Sequence, residues 1–192
     1  MAEAITKTTT DSRAPRQNGS RREQMPAEPK QYEEVVINID RVSRVVKGGR
    51  RFRFKALVVV GDGKNKVGIG VAKGADVQAA IAKATEVAKK HIVVIAIDKT
   101  TIPHDTEVRF TGAQVMLKPA APGTGIIAGG VVRSVIAVTG IKNLLSKSLG
   151  STNKVNIAYA TVEALKSLVP KDEWLNASKK TAKKVVATEE TK

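Results

Sequence analysis

Val46-Lys47-Gly48-Gly49-Arg50-Arg51-Phe52-Arg53-Phe54-Lys55-Ala56-Leu57-Val58-Val59-Val60-Gly61-Asp62-Gly63 opens on a turn, runs through a strand and closes on a second turn. Phe52, Phe54, Ala56, Val58 and Val60 fall on one side of a two-residue period. Arg51, Arg53 and Lys55 fall on the other, followed by Leu57 and Val59. That alternation predicts a strand with its phenylalanines inward and its arginines outward. Gly48-Gly49 suits a tight hairpin, because the turns that match strand twist need positive φ at their centre. The preceding arm is Glu34 to Asp40, where Val35, Ile37 and Ile39 alternate with Val36, Asn38 and Asp40.

Working outward, Gly61-Asp62-Gly63-Lys64-Asn65 makes the second turn. A third strand then sets Val67, Ile69 and Val71 against Lys66, Gly68 and Gly70. From Ala75 to His91 the period becomes helical, with Val77, Ile81, Ala84 and Ala88 on one face. Asp76 in the first turn and Lys89 and Lys90 in the last favour the helix dipole, and Glu86 and Lys90 have i,i+4 spacing. The first unit is therefore three antiparallel strands and a helix. It ends near His91, and the second unit starts with the apolar strand from Ile92 to Ile97. There a hairpin is expected, with Val108 and Phe110 on one arm and Val115 and Leu117 on the other. Past a Pro- and Gly-rich stretch, Val131 to Thr139 has helical spacing and Leu144 to Leu149 reads as a short strand. Thr152 and Asn153 are candidate caps for a last helix carrying Val155, Ala158, Val162 and Leu165, which ends by Pro170. Residues 1–30 lack any hydrophobic period and read as a disordered extension. Residues 170–192 read as a polar tail, with Trp174 a candidate anchor.

Charge narrows the function. The chain has 192 residues and a net charge of +15. Each flank, 1–30 and 169–192, holds six basic and four acidic residues, which leaves 21 basic and 10 acidic residues between them. The body expected to fold thus carries most of the excess, and that points to a polyanionic partner. Aromatics are only 3% of the chain. Single-strand binders stack bases on aromatic platforms at roughly 1–3 kcal/mol per base, so contact with phosphates and duplex shape is the better expectation. Cysteine is absent, which excludes disulfides, thiolate metal sites and a cysteine nucleophile. No apolar run reaches membrane-spanning length, and no secretory signal is expected.

Arg41, Arg44, Lys47, Arg50, Arg51, Arg53 and Lys55 are seven basic residues in fifteen with no acid among them. A solvated strand edge protected by charge would mix signs; a single sign marks a polyanion contact. Gly48 and Gly49 let the backbone approach its partner, and Lys64, Lys66, Lys118, Lys147 and Lys154 extend the candidate RNA-contact set through the body. Two glycine runs invite nucleotide-binding readings. In Gly68-Ile69-Gly70-Val71-Ala72-Lys73-Gly74 the fingerprint's third glycine position holds Lys73, so turn glycines and close packing are preferred. Pro122-Gly123-Thr124-Gly125-Ile126-Ile127-Ala128-Gly129-Gly130 lacks the Gly-Lys-Ser/Thr ending of a P-loop. His91 and His104 have no metal-ligand spacing, and no catalytic triad is recognisable. No enzyme activity, metal or cofactor is expected.

These motifs resemble a known family. Val46 to Phe52, Ala56 to Gly63 and Val67-Gly68-Ile69-Gly70 are similar to the N-terminal half of bacterial-type small-subunit ribosomal protein five. Leu117 to Gly130, Gly140-Ile141-Lys142-Asn143, Lys147 to Ser151 and Ala160 to Leu165 are similar to its C-terminal half. The likeness runs in order from about Tyr32 to Leu168, with Asp105 to Phe110 its least typical stretch. It implies an α+β chain of two small domains. Residues 31–97 would form a β-β-β-α domain like those that bind double-stranded RNA, and 98–169 a β-α-β domain with a left-handed crossover. It further implies a cytoplasmic protein of the ribosome that binds small-subunit rRNA and supports subunit assembly. Ribosomal proteins four and eight, and mRNA near the path by which it enters the subunit, are the other implied partners, with an influence on decoding accuracy. The loop Val46, Lys47, Gly48, Gly49, Arg50, Arg51 corresponds to the family's spectinomycin-linked loop. Two alternatives stay open at this point: a small-molecule kinase of related topology, using the loop from Pro122 to Gly130 for phosphate, and a free double-stranded-RNA-binding regulator.

Overall fold

Alternating β-branched residues on both sides of a glycine turn give the longest hairpin among the described residues, β1 (Glu33–Val46) and β2 (Gly49–Gly61). A computed structural model describes residues 32–171, 173 and 174; the expected extension over 1–30, residue 172 and the tail beyond residue 174 lie outside the described residues. The chain continues through β3 (Lys66–Gly74), α1 (Val77–Lys90) and β4 (Ile92–Val94). These four strands form one antiparallel sheet in the order β1-β2-β3-β4. The strand expected to start the second unit over Ile92 to Ile97 is shorter and belongs to the first sheet instead, where Val93 pairs with Val67 on the free side of β3.

β5 (Thr106–Phe110) and β6 (Ala113–Pro119) make the second hairpin. β7 (Ile126–Ile127), α2 (Gly130–Ala137) and β8 (Leu144–Gly150) follow, with β7 parallel to β8. This is the expected β-α-β unit, in a sheet ordered β5-β6-β8-β7. α3 (Lys154–Lys166) closes the described fold, and its N-cap Asn153 accepts a bond from the Val155 N–H at 3.2 Å. The fold class is α+β, as the patterns indicated.

The glycines of β3 serve packing. A Cβ at Gly70 would lie 2.0 Å from the Ala84 carbonyl oxygen, and one at Gly68 would lie 2.3 Å from that of Ala88. α1 therefore seats directly on the backbone of β3, and its buried face is the small-residue stripe Ala80, Ala84, Thr85 and Ala88. Val77 and Ile81, expected on that face, lie half-buried beside it. Asp76 is the N-cap residue rather than part of the first turn. The Glu86–Lys90 pair is not among the ion pairs formed by the described residues; Lys89 instead reaches Glu34 at 3.2 Å.

β2 is buried on both faces over its second half. Ala56, Val58 and Val60 pack under α1, while Leu57 and Val59 enter a larger cluster shared with the second sheet. That cluster joins Val67 and Ile69 of β3 to Val115 and Leu117 of β6, Val132 and Ile136 of α2, and Ala158 and Leu165 of α3. α3 packs on β5 and β6 and also on β3 and β4, so it fills the layer between the two sheets. The junction is close: a Cβ at Gly61 would lie 2.2 Å from the Val138 carbonyl oxygen, which itself accepts the Gly63 N–H at 3.0 Å. At the far edge, Trp174 lies against His104 with ring centroids 5.7 Å apart, and the His104 Nε2 accepts the Val169 N–H at 3.1 Å. Trp174 therefore rests against the body at this point.

Candidate nucleic-acid interface

β1 and β2 outrun the helix that covers them. The last β2 side chain to reach the α1 cluster is Phe54, and Phe52 is 48% exposed rather than inward. Beyond that point the hairpin is a two-stranded ribbon with both faces open. Pairing of Val46 with Gly49 makes Lys47 and Gly48 the turn centre. Positive φ occurs at Gly48 (96°) and Gly49 (153°) but not at Lys47, so the turn differs from a mirror-image type with both central residues left-handed.

The register sorts the seven predicted cations onto different surfaces. Val42 faces Arg53, Arg44 faces Arg51, and Lys55 faces both Asp40 on β1 and Lys73 on β3. Directly paired residues share a face, so Arg44, Arg51, Arg53 and Lys73 lie together. They line a concavity of about 430 Å³ with Val42, Ser43 and Val46, and no carboxylate is among its lining residues. Lys55 belongs to the same face but bonds Asp40 at 2.8 Å. That bond, with a second from the Asn38 amide, holds the Asp40 carboxyl below its ordinary pKa. Arg41 and Arg50 fall on the opposite face, and Lys47, Gly48 and Gly49 form the exposed tip. The stretch that reads as one patch is two surfaces and a tip.

The remaining candidates stand elsewhere. Lys64 lies in the turn at the other end of β2 and Lys66 just after it; the 13 residues of β2 put about 40 Å between its two ends. Lys154 donates to the Asn38 Oδ1 at 2.8 Å and ties α3 to β1. Lys118 and Lys147 sit on the outer face of the second sheet, beside Met116, Ile127 and Leu145 in a shallow apolar depression of about 170 Å³. Lys73 was missed among the candidate contacts. Its signal was present, since it continues the parity of Val67, Ile69 and Val71, but its partner across the sheet depends on a register that spacing alone leaves open.

The glycine loop from Pro122 to Gly130 has a different job from a phosphate cradle. The Asn143 side chain is almost wholly buried, and its Oδ1 accepts the N–H groups of both Gly123 and Gly125 at 3.0 Å. Its Nδ2 donates to the Thr100 Oγ1 at 3.1 Å. Two donors that a nucleotide would need are already engaged inside the fold.

Residues 32–96 match the N-terminal domain of ribosomal protein S5, and residues 108–176 match its C-terminal domain. The chain belongs to the ribosomal protein S5 family. It is 51% identical over 148 residues to the small ribosomal subunit protein uS5 of Chloroflexus aurantiacus, covering 77% of this chain and 83% of that one. Members of the S5 family are structural proteins of the small ribosomal subunit, not enzymes. The kinase alternative has no support in either the family or the loop.

Proposed function

We propose that this S5-family chain binds folded small-subunit rRNA chiefly through the concavity of Arg44, Arg51, Arg53 and Lys73, assisted by Lys47 at the tip. The carrying observation is four cations lining one concavity that no carboxylate lines. Such a cluster neutralises several phosphates at once, and the displaced counterions make binding steeply salt-dependent. Residues 31–97 supply this surface, and 98–169 brace it through the shared core. Lys64 and Lys66 form a second, separate contact.

The outer face of the second sheet suits a protein neighbour better than RNA, because Met116, Ile127 and Leu145 lie between its lysines. Small-subunit proteins four and eight are the partners the family resemblance suggests for such faces. The chain would then look onto the incoming mRNA and influence decoding accuracy, and its loop from Val46 to Arg51 corresponds to the family's spectinomycin-linked loop.

The test is replacement of Arg44, Arg51, Arg53 and Lys73 together by Ala in the full chain. Affinity for small-subunit rRNA should fall, and the slope of log K against log salt should flatten by roughly 0.9 per lost phosphate contact. Unchanged affinity and slope would sink the reading. Co-sedimentation of the wild type with ribosomes at moderate salt separates a resident subunit protein from a free RNA-binding regulator.

A further inference from the structure

The hairpin's second face carries different chemistry from its concavity. Register puts Ser43 opposite Phe52 and Val45 opposite Arg50, so Arg41, Val45, Arg50 and Phe52 share the face that α1 leaves uncovered. Phe52 is 48% exposed there and Val45 72%. The Arg41 guanidinium carbon stands 3.8 Å from the Phe52 ring centroid. The chain has only three phenylalanines. Phe110 stacks on Tyr159 and Phe54 packs toward α1, so both serve the interior. Phe52 instead points outward beside cations, and the acid nearest in the ladder, Asp40, is on the other face and bound to Lys55.

An exposed aromatic with a stacked guanidinium has a specific affinity for planar partners. Each base has a π-face, and arginine adds both charge and a planar surface. A protein contact would also use an exposed phenylalanine, but the positive surroundings favour an anionic partner. We infer that the Arg41–Phe52 pair stacks one unpaired base of the RNA whose phosphates occupy the concavity behind it. The two-stranded ribbon would then be held from both faces, with the bare Gly48-Gly49 tip letting the RNA strand pass closely; a Cβ at either glycine would meet nothing within 4 Å. The inference rests on the rRNA-binding reading and adds a contact whose energy does not come from phosphate neutralisation.

The distinguishing experiment is Phe52→Leu in the full chain, titrated with small-subunit rRNA over a series of salt concentrations. Affinity should drop on the order of tenfold at every salt, with the slope unchanged, because a stacking contact and not a phosphate contact is lost. Arg41→Lys should also weaken binding with the slope preserved, since an ammonium keeps the charge and loses the plane. Phe52→Trp should restore affinity. In a Trp174→Phe background its fluorescence should be quenched as rRNA is added. Melting curves check that each variant is folded. If Phe52→Leu binds like wild type while the four-residue concavity variant fails, the stacking inference is wrong and the rRNA reading survives. If Phe52→Leu matters only when other small-subunit proteins are present, the face meets protein and the inference is equally wrong. If the wild type does not bind, both fall.

Discussion

Arg44 and Arg51 stand directly opposite each other across the β1–β2 ladder, on a face whose concavity no carboxylate lines. Like charges in that relation destabilise a sheet by roughly 0.2–1 kcal/mol. Arg51→Gln is therefore expected to make the free protein more stable by about that amount while weakening rRNA binding, with the salt slope reduced by roughly 0.9. Urea denaturation and salt-dependent titration of the same sample measure both effects. A variant that loses stability as well as affinity would mean that the pair is structural.

Glycine substitutions should differ in sign according to what the missing Cβ would meet. Gly70→Ala drives a methyl to within 2.0 Å of the Ala84 carbonyl oxygen, so α1 must lift from β3. The expected loss is about 1–3 kcal/mol. Gly130 begins α2, has no positive φ and has open space around a Cβ. Gly130→Ala should stabilise by about 0.4–1 kcal/mol through reduced freedom of the unfolded chain. Denaturant midpoints at constant m-value decide each case.

The periods of two and 3.6 made most elements readable, because burial on a strand or helix follows its geometry. Three things escaped. The length of β2 left uncovered by α1 depends on where a helix from another part of the chain ends, so nothing local in Phe52 marks it as exposed. The division of one basic stretch into two faces was implicit in its alternation, yet grouping Arg44 with Lys73 needed the β2–β3 register. The shared core was hidden for a similar reason: Leu57 and Val59 sit in a strand whose other face is also apolar, and a continuous apolar run does not name its partners. Long, regular segments were legible; surfaces assembled from distant ones were not.

Asn143 offers a prediction about the glycine loop. Replacing it by Ala leaves the Gly123 and Gly125 N–H groups without their acceptor, beside a Thr100 hydroxyl that has lost its donor. Stranding buried polar groups costs about 1–3 kcal/mol. Part of that is recovered here because Gly123 is exposed to water. The expected signature is local: faster amide hydrogen exchange at Gly123 and Gly125 and along β7, with α1 and β3 unchanged. Uniform acceleration across both sheets would show that the loop is part of the global unfolding unit.

Asp62 makes the turn after β2 sensitive to pH. Its Oδ1 accepts the N–H groups of Lys64, Asn65 and Lys66 at 2.9, 3.0 and 2.9 Å. Burial pushes the carboxyl pKa up, but the backbone donors outweigh it and hold the group below its ordinary 3.8. A lowered folded pKa means that the ionised form favours the fold. Its contribution is fully present above the unfolded value near 3.9 and is lost as pH falls through the lower folded value. Stability from this source should be flat between about pH 7 and 5 and decline below about pH 4. Asp62→Asn retains an acceptor without the charge, so it should be less stable than wild type at pH 7, with the gap narrowing as pH falls below about 4. Asp40, lowered chiefly by its bond to Lys55, acts in the same direction and leaves the variant some residual acid sensitivity. Urea unfolding of both proteins at pH 7 and pH 3 gives the comparison; a stability gap that stays constant across that range would exclude the charge of Asp62 as its cause.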